Sequence, residues 1–192
     1  MAVRSDVYQK QNGMNKRKAG EDFYFLQKLI PLGGFTELKT TKIIPSPRVS
    51  DRVPFGTGKA MQNWLAEDKQ ELFGYNPKSF IDLKQFCEAL PKLYDGVNEI
   101  PKTVQEFLDT IDFDENIINI KKNSKSPTHF IEVFFKWFNA FKTLKYMHFA
   151  RDNHYPDLPI YEGANELMNM LNYSKKNDIR SLLHEYRGMD LA

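Results

Sequence analysis

The run from residue 127 to residue 151 is the most apolar stretch of the chain, and it constrains the fold more than any other feature. A narrow polar stripe that includes Glu132, Lys136 and Asn139 interrupts it. A helix that is apolar around most of its circumference must be covered on nearly every side, whereas an exposed aromatic surface of this size would need a partner. We therefore predict a single helix over 127–151 in the centre of a helical core, with Pro127 at its first position.

Shorter helices are predicted on either side of this run. Their apolar residues recur at helical spacing, and turns, prolines or polar pairs separate them. The predicted helices cover 78–94, 101–111, 115–122, 160–173 and 176–187. Cys87 follows the apolar pattern of the first of these helices, so we interpret it as a core residue and not as a nucleophile. Residues 66–192 are thus expected to form a helical extension.

The second informative stretch is Gly20-Glu21-Asp22, together with the apolar run that follows it. Apolar side chains recur at helical spacing as far as Leu32, which predicts a helix from Glu21 to Leu32 with one buried face. The two acids fall in the first turn, where unpaired N–H groups and the helix dipole favour negative charge. Acidic residues are common at helix starts for structural reasons alone. The same position would also hold their carboxylates rigidly at the edge of a packed helix, where they could act on a ligand.

The rest of the N-terminal part is predicted to contain a further helix and two short strands. Residues 1–4 and the β-branched run 35–45 favour strands. Residues 5–12 favour a helix, with Ser5 as its N-cap and Gly13 closing it. Together with the helical remainder, these elements predict an α+β fold that is mainly helical.

A glycine-rich segment, Gly56-Thr57-Gly58-Lys59, leads into another predicted helix. Such an approach exposes backbone N–H groups that suit a phosphate, although the spacing is not that of a P-loop. Arg48 and Arg52 stand four residues apart shortly before it. One interpretation is that Arg52 pairs with Asp51 or Asp22 and simply orders the loop.

Composition excludes several classes of protein. The net charge is +2, from 27 Lys and Arg against 25 Asp and Glu, which is too balanced to indicate a nucleic-acid partner. The single cysteine excludes an internal disulfide and fits a reducing cytosol. The sequence contains no run of roughly eighteen uncharged apolar residues, so no membrane span is expected.

The order of these motifs resembles the second half of the catalytic domain of a family-2 glycosyltransferase with a GT-A fold. The resemblance is carried by the short strand that ends at Arg4, by Gly13, and above all by the run from Gly20 to Leu29, which reads Gly-Glu-Asp-Phe-Tyr-Phe-Leu-Gln-Lys-Leu. It covers residues 1–65, which are expected to be the C-terminal part of such a domain. Residues 66–192 resemble the helical tail of bacterial members only loosely.

The resemblance implies that a sugar moves, with inversion, from a nucleotide-sugar donor to a hydroxyl of a saccharide or lipid-linked acceptor. Asp22 matches the general base of the family, and Glu21 would support the helix start or contact the acceptor. Arg48, Arg52 and Lys59 are weaker candidates for binding the leaving diphosphate.

The resemblance also implies a divalent metal, Mg or Mn, held by an Asp-x-Asp motif. That motif would belong to a nucleotide-binding β/α half that is expected before Met1. The present chain is therefore interpreted as a fragment or a naturally truncated product, which is expected to be inactive alone and to tend to self-associate through exposed strand edges. We expect it in the cytoplasm or at the inner face of a membrane.

Other kinds of site have less support. Asp112-Phe113-Asp114 has the letters of the metal motif, but it lies about ninety residues after the acidic pair, where Asp114 is expected to cap a helix. The four histidines show no metal-ligand spacing, and the sequence contains no nucleophile elbow. Two alternatives stay open: a non-catalytic helical interaction module that retains a glycosyltransferase remnant, and a phosphate-binding module built on Gly56–Lys59.

Overall fold

The computed structural model of the chain describes residues 2–16, 20–41, 43, 44, 46, 48, 49, 56–66, 71–96 and 99–191. These residues are mainly helical, with one antiparallel sheet of two short strands, so the predicted α+β, mainly helical class is confirmed. They separate into two compact units, Met1–Gln70 and Glu71–Ala192.

The described residues of the first unit form short helices. These are α1 (Ser5–Lys10), α2 (Glu21–Leu29), a 3-10 helix (Ile30–Leu32) and α3 (Thr57–Ala66). The α-helix predicted from Glu21 to Leu32 thus ends at Leu29 and continues as one tighter turn. Pro31 explains the change, because it has no N–H for the next helical hydrogen bond.

Neither strand predicted in this unit forms within its described residues. Residues 2–4 and 34–38 have no strand partner there, and an extended segment is stable as a strand only when a neighbour pairs with it. The strand predictions were therefore wrong for these residues, and no sheet edge is present among them to mediate self-association. Helix α1 begins at Ser5 itself, so Arg4 and not Ser5 is the N-cap, without a side-chain cap.

The second unit contains seven helices and two strands in its described residues. They are β1 (Phe73–Gly74), α4 (Pro77–Tyr94), α5 (Lys102–Leu108), α6 (Phe113–Lys122), α7 (Pro127–Trp137), α8 (Ala140–Asn153), β2 (Leu158–Pro159), α9 (Ile160–Met170) and α10 (Ile179–Leu191). The strands pair antiparallel, with Phe73 opposite Pro159 and Gly74 opposite Leu158. Each helix predicted in this unit is present, with its ends shifted, apart from the long central one.

The helix predicted over 127–151 is interrupted at Phe138 and Asn139. The backbone of Phe138 leaves the helical region at ψ 66°, and the side chain of Asn139 accepts hydrogen bonds from the N–H groups of Phe141 and Lys142. Asparagine is among the best N-cap residues, so here a helix start is favoured over continuation. The prediction of a single helix was wrong for this reason.

The core of the second unit is largely aromatic. Phe134 and Phe138 stack with their ring planes 14° apart, and Phe86 lies edge-on to both. Phe130, Phe134 and Phe138 are buried, so the central position predicted for this run is confirmed. Cys87 is half-buried on α4, where burial raises the pKa of its thiol and keeps it in the less reactive protonated form.

Candidate functional site

Helix α2 is held against α1 by an aromatic contact. Phe25 is 1% exposed, and the ring of Tyr8 lies edge-on to it at 5.3 Å between centroids. The Tyr8 hydroxyl accepts a hydrogen bond from the N–H of Met14 at 3.3 Å. A Cβ atom at Gly13 would lie 2.9 Å from the Tyr8 ring, so any larger residue would displace that ring. We call Tyr8, Gly13 and Phe25 the Tyr8 clasp.

The clasp fixes the helix whose first turn carries Glu21 and Asp22. Gly20 enters α2 in the left-handed conformation at φ +75° and provides no side-chain cap. Asp22 is exposed, and its Oδ1 accepts a hydrogen bond from the N–H of Phe23 at 2.7 Å. Within the described residues, Oδ2 of Asp22 has no hydrogen-bond partner. One carboxylate oxygen of Asp22 is thus left without a described partner at the start of a helix that buries Phe25.

The three basic residues predicted to bind the diphosphate differ in their surroundings. Arg48 is exposed. Lys59 is half-buried in the first turn of α3, and its Nζ donates to Oε1 of Gln62 at 3.0 Å. Arg52 lies outside the described residues, as does Asp51, its possible partner. In the described parts of the chain, no hydrogen bond or ion pair joins Glu21 or Asp22 to Arg48 or Lys59.

The described residues bring no set of metal ligands together. They contain no group of three His, Cys, Asp or Glu side chains that could hold an ion. Asp112 occupies the N-cap position of α6 at φ +53°, and Asp114 follows in the first turn. Asp114 was predicted to be the N-cap of this helix, but the N-cap is Asp112. Its side chain makes no capping hydrogen bond.

A polar network that sequence reasoning missed joins α4, α5 and the end of α8. Oδ2 of Asp82 accepts hydrogen bonds from the hydroxyl groups of Thr103 and Tyr155, the latter at 2.9 Å. The buried hydroxyl of Tyr146 donates to the carbonyl oxygen of Ser79 at 3.3 Å. Burial raises the pKa of Tyr146 to about 12, and the negative charge of Asp82 acts in the same direction.

This network connects helices by hydrogen bonds, and its groups are poorly suited to catalysis. A tyrosine with a raised pKa stays neutral near neutral pH and can only donate or accept hydrogen bonds. Next to it, Nε2 of His154 lies 2.9 Å from Oε2 of Glu106, close enough for an ion pair when the imidazole is protonated. No periodicity or motif links these residues, which are far apart in sequence, so the sequence alone had no signal for them.

An open pocket of about 560 Å³ lies beside α10. Lys176 and Glu185 both line it and form an ion pair at 2.7 Å, and the hydroxyl of Ser181 donates to Asp178. These three polar side chains already have partners within the protein, which reduces what they can offer a ligand.

Fold and site together define a mainly helical α+β protein with an exposed first-turn carboxylate on an anchored helix. Comparison with family models, with curated protein sequences and with solved structures gives no match for this chain. Among the described residues, no helix has the length and apolar character needed to cross a membrane.

Proposed function

We propose that this chain carries the acceptor side of an inverting, GT-A-type glycosyltransferase, with Asp22 as the general base. The observation that supports the proposal most is the position of Asp22. Its carboxylate is exposed in the first turn of α2, and the buried side chain of Phe25 fixes that helix one turn further on. A general base must be positioned as well as ionised, and a rigid helix start provides the position.

In the proposed reaction, the acceptor hydroxyl attacks the anomeric carbon of the sugar from the side opposite the nucleoside diphosphate. The new glycosidic bond forms while the bond to the diphosphate oxygen breaks, and the diphosphate leaves with the electron pair. Oδ2 of Asp22 takes the proton of the acceptor hydroxyl, and Oδ1 stays bonded to the N–H of Phe23.

The roles proposed for the other candidates follow from their positions. Glu21 is half-buried beside Asp22 and would contact the acceptor or support the helix start. Arg48 and Lys59 are proposed to stabilise charge on the leaving diphosphate, as is Arg52.

The test is a transfer assay on the natural full-length protein in which this sequence occurs. Release of nucleoside diphosphate is measured over a panel of nucleotide sugars with saccharide and lipid-linked acceptors. Asp22→Asn is expected to lower turnover by at least about a hundredfold, because general-base catalysis contributes on that scale, and to leave nucleotide binding unchanged.

Asp6→Asn is the matched control. Asp6 is also an acid in a first turn, that of α1, and its ion pair with Arg4 is exposed. The control is expected to retain full turnover. Turnover by Asp22→Asn equal to that of the control would exclude Asp22 as the base. Absence of turnover in the wild-type protein would favour the non-catalytic interaction module instead.

A further inference from the structure

Among the described residues between 30 and 49, seven apolar side chains are exposed to solvent. Ile43 and Ile44 are the extreme cases, with 88% and 87% of their surface exposed. The other five are about half exposed or more: Ile30, Leu32, Phe35, Leu38 and Val49. We call these seven residues the apolar segment. Apolar surface concentrated in this way is characteristic of a binding surface.

Positive charge is interleaved with the apolar segment. Lys39 and Arg48 are exposed, Lys42 lies between them in the sequence, and Glu37 is the one acid in residues 30–49. The same bias extends over the whole first unit, in which twelve Lys and Arg against seven Asp and Glu give +5. In the second unit, fifteen against eighteen give −3. Such an asymmetry indicates an anionic partner for the first unit.

The chemistry of the segment distinguishes between possible partners. A second copy of the chain would bring two segments of the same positive sign together, which is unfavourable. Single-stranded nucleic acid is usually bound by aromatic rings that stack on the bases, but six of the seven side chains are aliphatic. Aliphatic side chains among Lys and Arg suit the surface of a bilayer, where apolar groups enter the acyl boundary and cations meet anionic headgroups.

We propose that the apolar segment binds the surface of a bilayer that contains anionic phospholipid. Ile43 and Ile44 enter the boundary between headgroups and acyl chains, and Lys39 and Arg48 lie at the level of the phosphates. The binding is peripheral and reversible, because no covalent anchor is invoked and the buried apolar area is small. The proposal rests on exposure and charge, and Arg48 is the one residue that it shares with the proposed sugar transfer.

The experiment is sedimentation of the full chain with vesicles of phosphatidylcholine that contain about 30% phosphatidylglycerol. The wild-type protein is expected to sediment with these vesicles and much less with pure phosphatidylcholine. The double variant Ile43→Ser/Ile44→Ser is expected to lower the partition coefficient at least about tenfold, because it removes two apolar side chains from the boundary. Both side chains are almost fully exposed, so the variant is expected to fold normally, which circular dichroism checks.

Two further variants separate the apolar from the electrostatic contribution. Ile118→Ser removes an isoleucine that is 64% exposed on α6 of the acidic second unit, and binding should be unchanged. Lys39→Gln/Arg48→Gln should lower binding to the anionic vesicles several-fold, as should added salt, while binding to pure phosphatidylcholine stays the same.

Three results would overturn the proposal. The first is a wild-type chain that stays in the supernatant with anionic vesicles. The second is an equal loss of binding in the Ile43/Ile44 double variant and in Ile118→Ser. The third is a concentration-dependent dimer, abolished in the double variant, in a chain that does not bind vesicles, which would identify a second copy as the partner of the segment.

Discussion

The ring of Tyr8 lies edge-on to the ring of Phe25, with centroids 5.3 Å apart and planes inclined by 65°. Tyr8 belongs to α1 and Phe25 to α2, so one contact joins the two helices of the candidate site. Aromatic pairs of this geometry contribute about 0.5–1.5 kcal/mol beyond their buried area. In a unit with few buried side chains, such a contact has a large influence on whether Asp22 is held in place.

Gly13→Ala should therefore loosen the helix that carries Asp22. The new methyl group would meet the Tyr8 ring at 2.9 Å, and the backbone at Gly13 has φ +63°. The left-handed backbone alone costs a non-glycine residue about 1–2 kcal/mol, and displacement of the ring adds to it. Hydrogen exchange should show lower protection of the α1 and α2 amides, with α4 to α8 unaffected.

Gly34→Ala provides the comparison. Gly34 has nearly the same backbone, at φ +65°, but a Cβ there meets nothing within 4 Å. In Gly34→Ala, hydrogen-exchange protection should fall only because alanine is unfavourable in the left-handed backbone conformation, with no contribution from a displaced ring. Equal losses in the two variants would show that the Tyr8 ring does not restrict position 13.

Asn139→Ala should destabilise the second unit by about 1 kcal/mol. Its side chain accepts hydrogen bonds from Phe141 N–H and Lys142 N–H at the start of α8, and replacing a good N-cap by alanine has this effect. Asn139→Asp keeps the acceptor and places negative charge at the helix N-terminus, so it should unfold at the wild-type urea concentration. A midpoint for Asn139→Ala that equals the wild-type midpoint would contradict the capping role.

Tyr146 should make the second unit sensitive to alkali. Burial raises its pKa from 10 to about 12 in the folded chain, so the folded state holds the hydroxyl proton more tightly than the unfolded state. The resulting stabilisation is complete below pH 10 and is lost as the pH rises through 12. Its size is about 2–3 kcal/mol. Unfolding free energies measured by urea titration between pH 9 and 12 should show the decline.

The variant Tyr146→Phe removes the ionisable hydroxyl and so tests how much of the alkaline loss of stability comes from Tyr146. Burial also raises the pKa values of Tyr155 and Tyr186, so some alkaline loss remains, but it should be smaller than in the wild type. Tyr173→Phe changes a tyrosine that is about half exposed and should leave the wild-type decline intact. If Tyr146→Phe declined as steeply as Tyr173→Phe, ionisation of Tyr146 would not be the cause.

Helical periodicity predicted most of the second unit, because its helices each bury one apolar face against a shared core. Phe130, Phe134 and Phe138 lie in that core as their spacing indicates. The break at Asn139 was missed because periodicity continues through it, and only the competition between capping and continuation decides the outcome.

The first unit was harder to predict. The strand expected over 35–45 does not form in its described residues, since β-branched composition favours a strand only where a partner exists. At the candidate site, the first-turn position of Asp22 could be read from Gly20-Glu21-Asp22, whereas the Tyr8 clasp could not. Its contacts depend on how two helices pack, and the sequence around Gly13 indicated only a helix end.

The small sheet of the second unit has a consequence for folding kinetics. The pairing of Phe73 with Pro159 closes a loop that contains five helices, α4 to α8, for only two residues of ladder on each strand. Closing so long a loop is entropically unfavourable until the helices between the strands have packed and brought the ends together. We expect the strands to pair late, after the aromatic core has assembled, so that protection of the ladder amides marks the completion of folding.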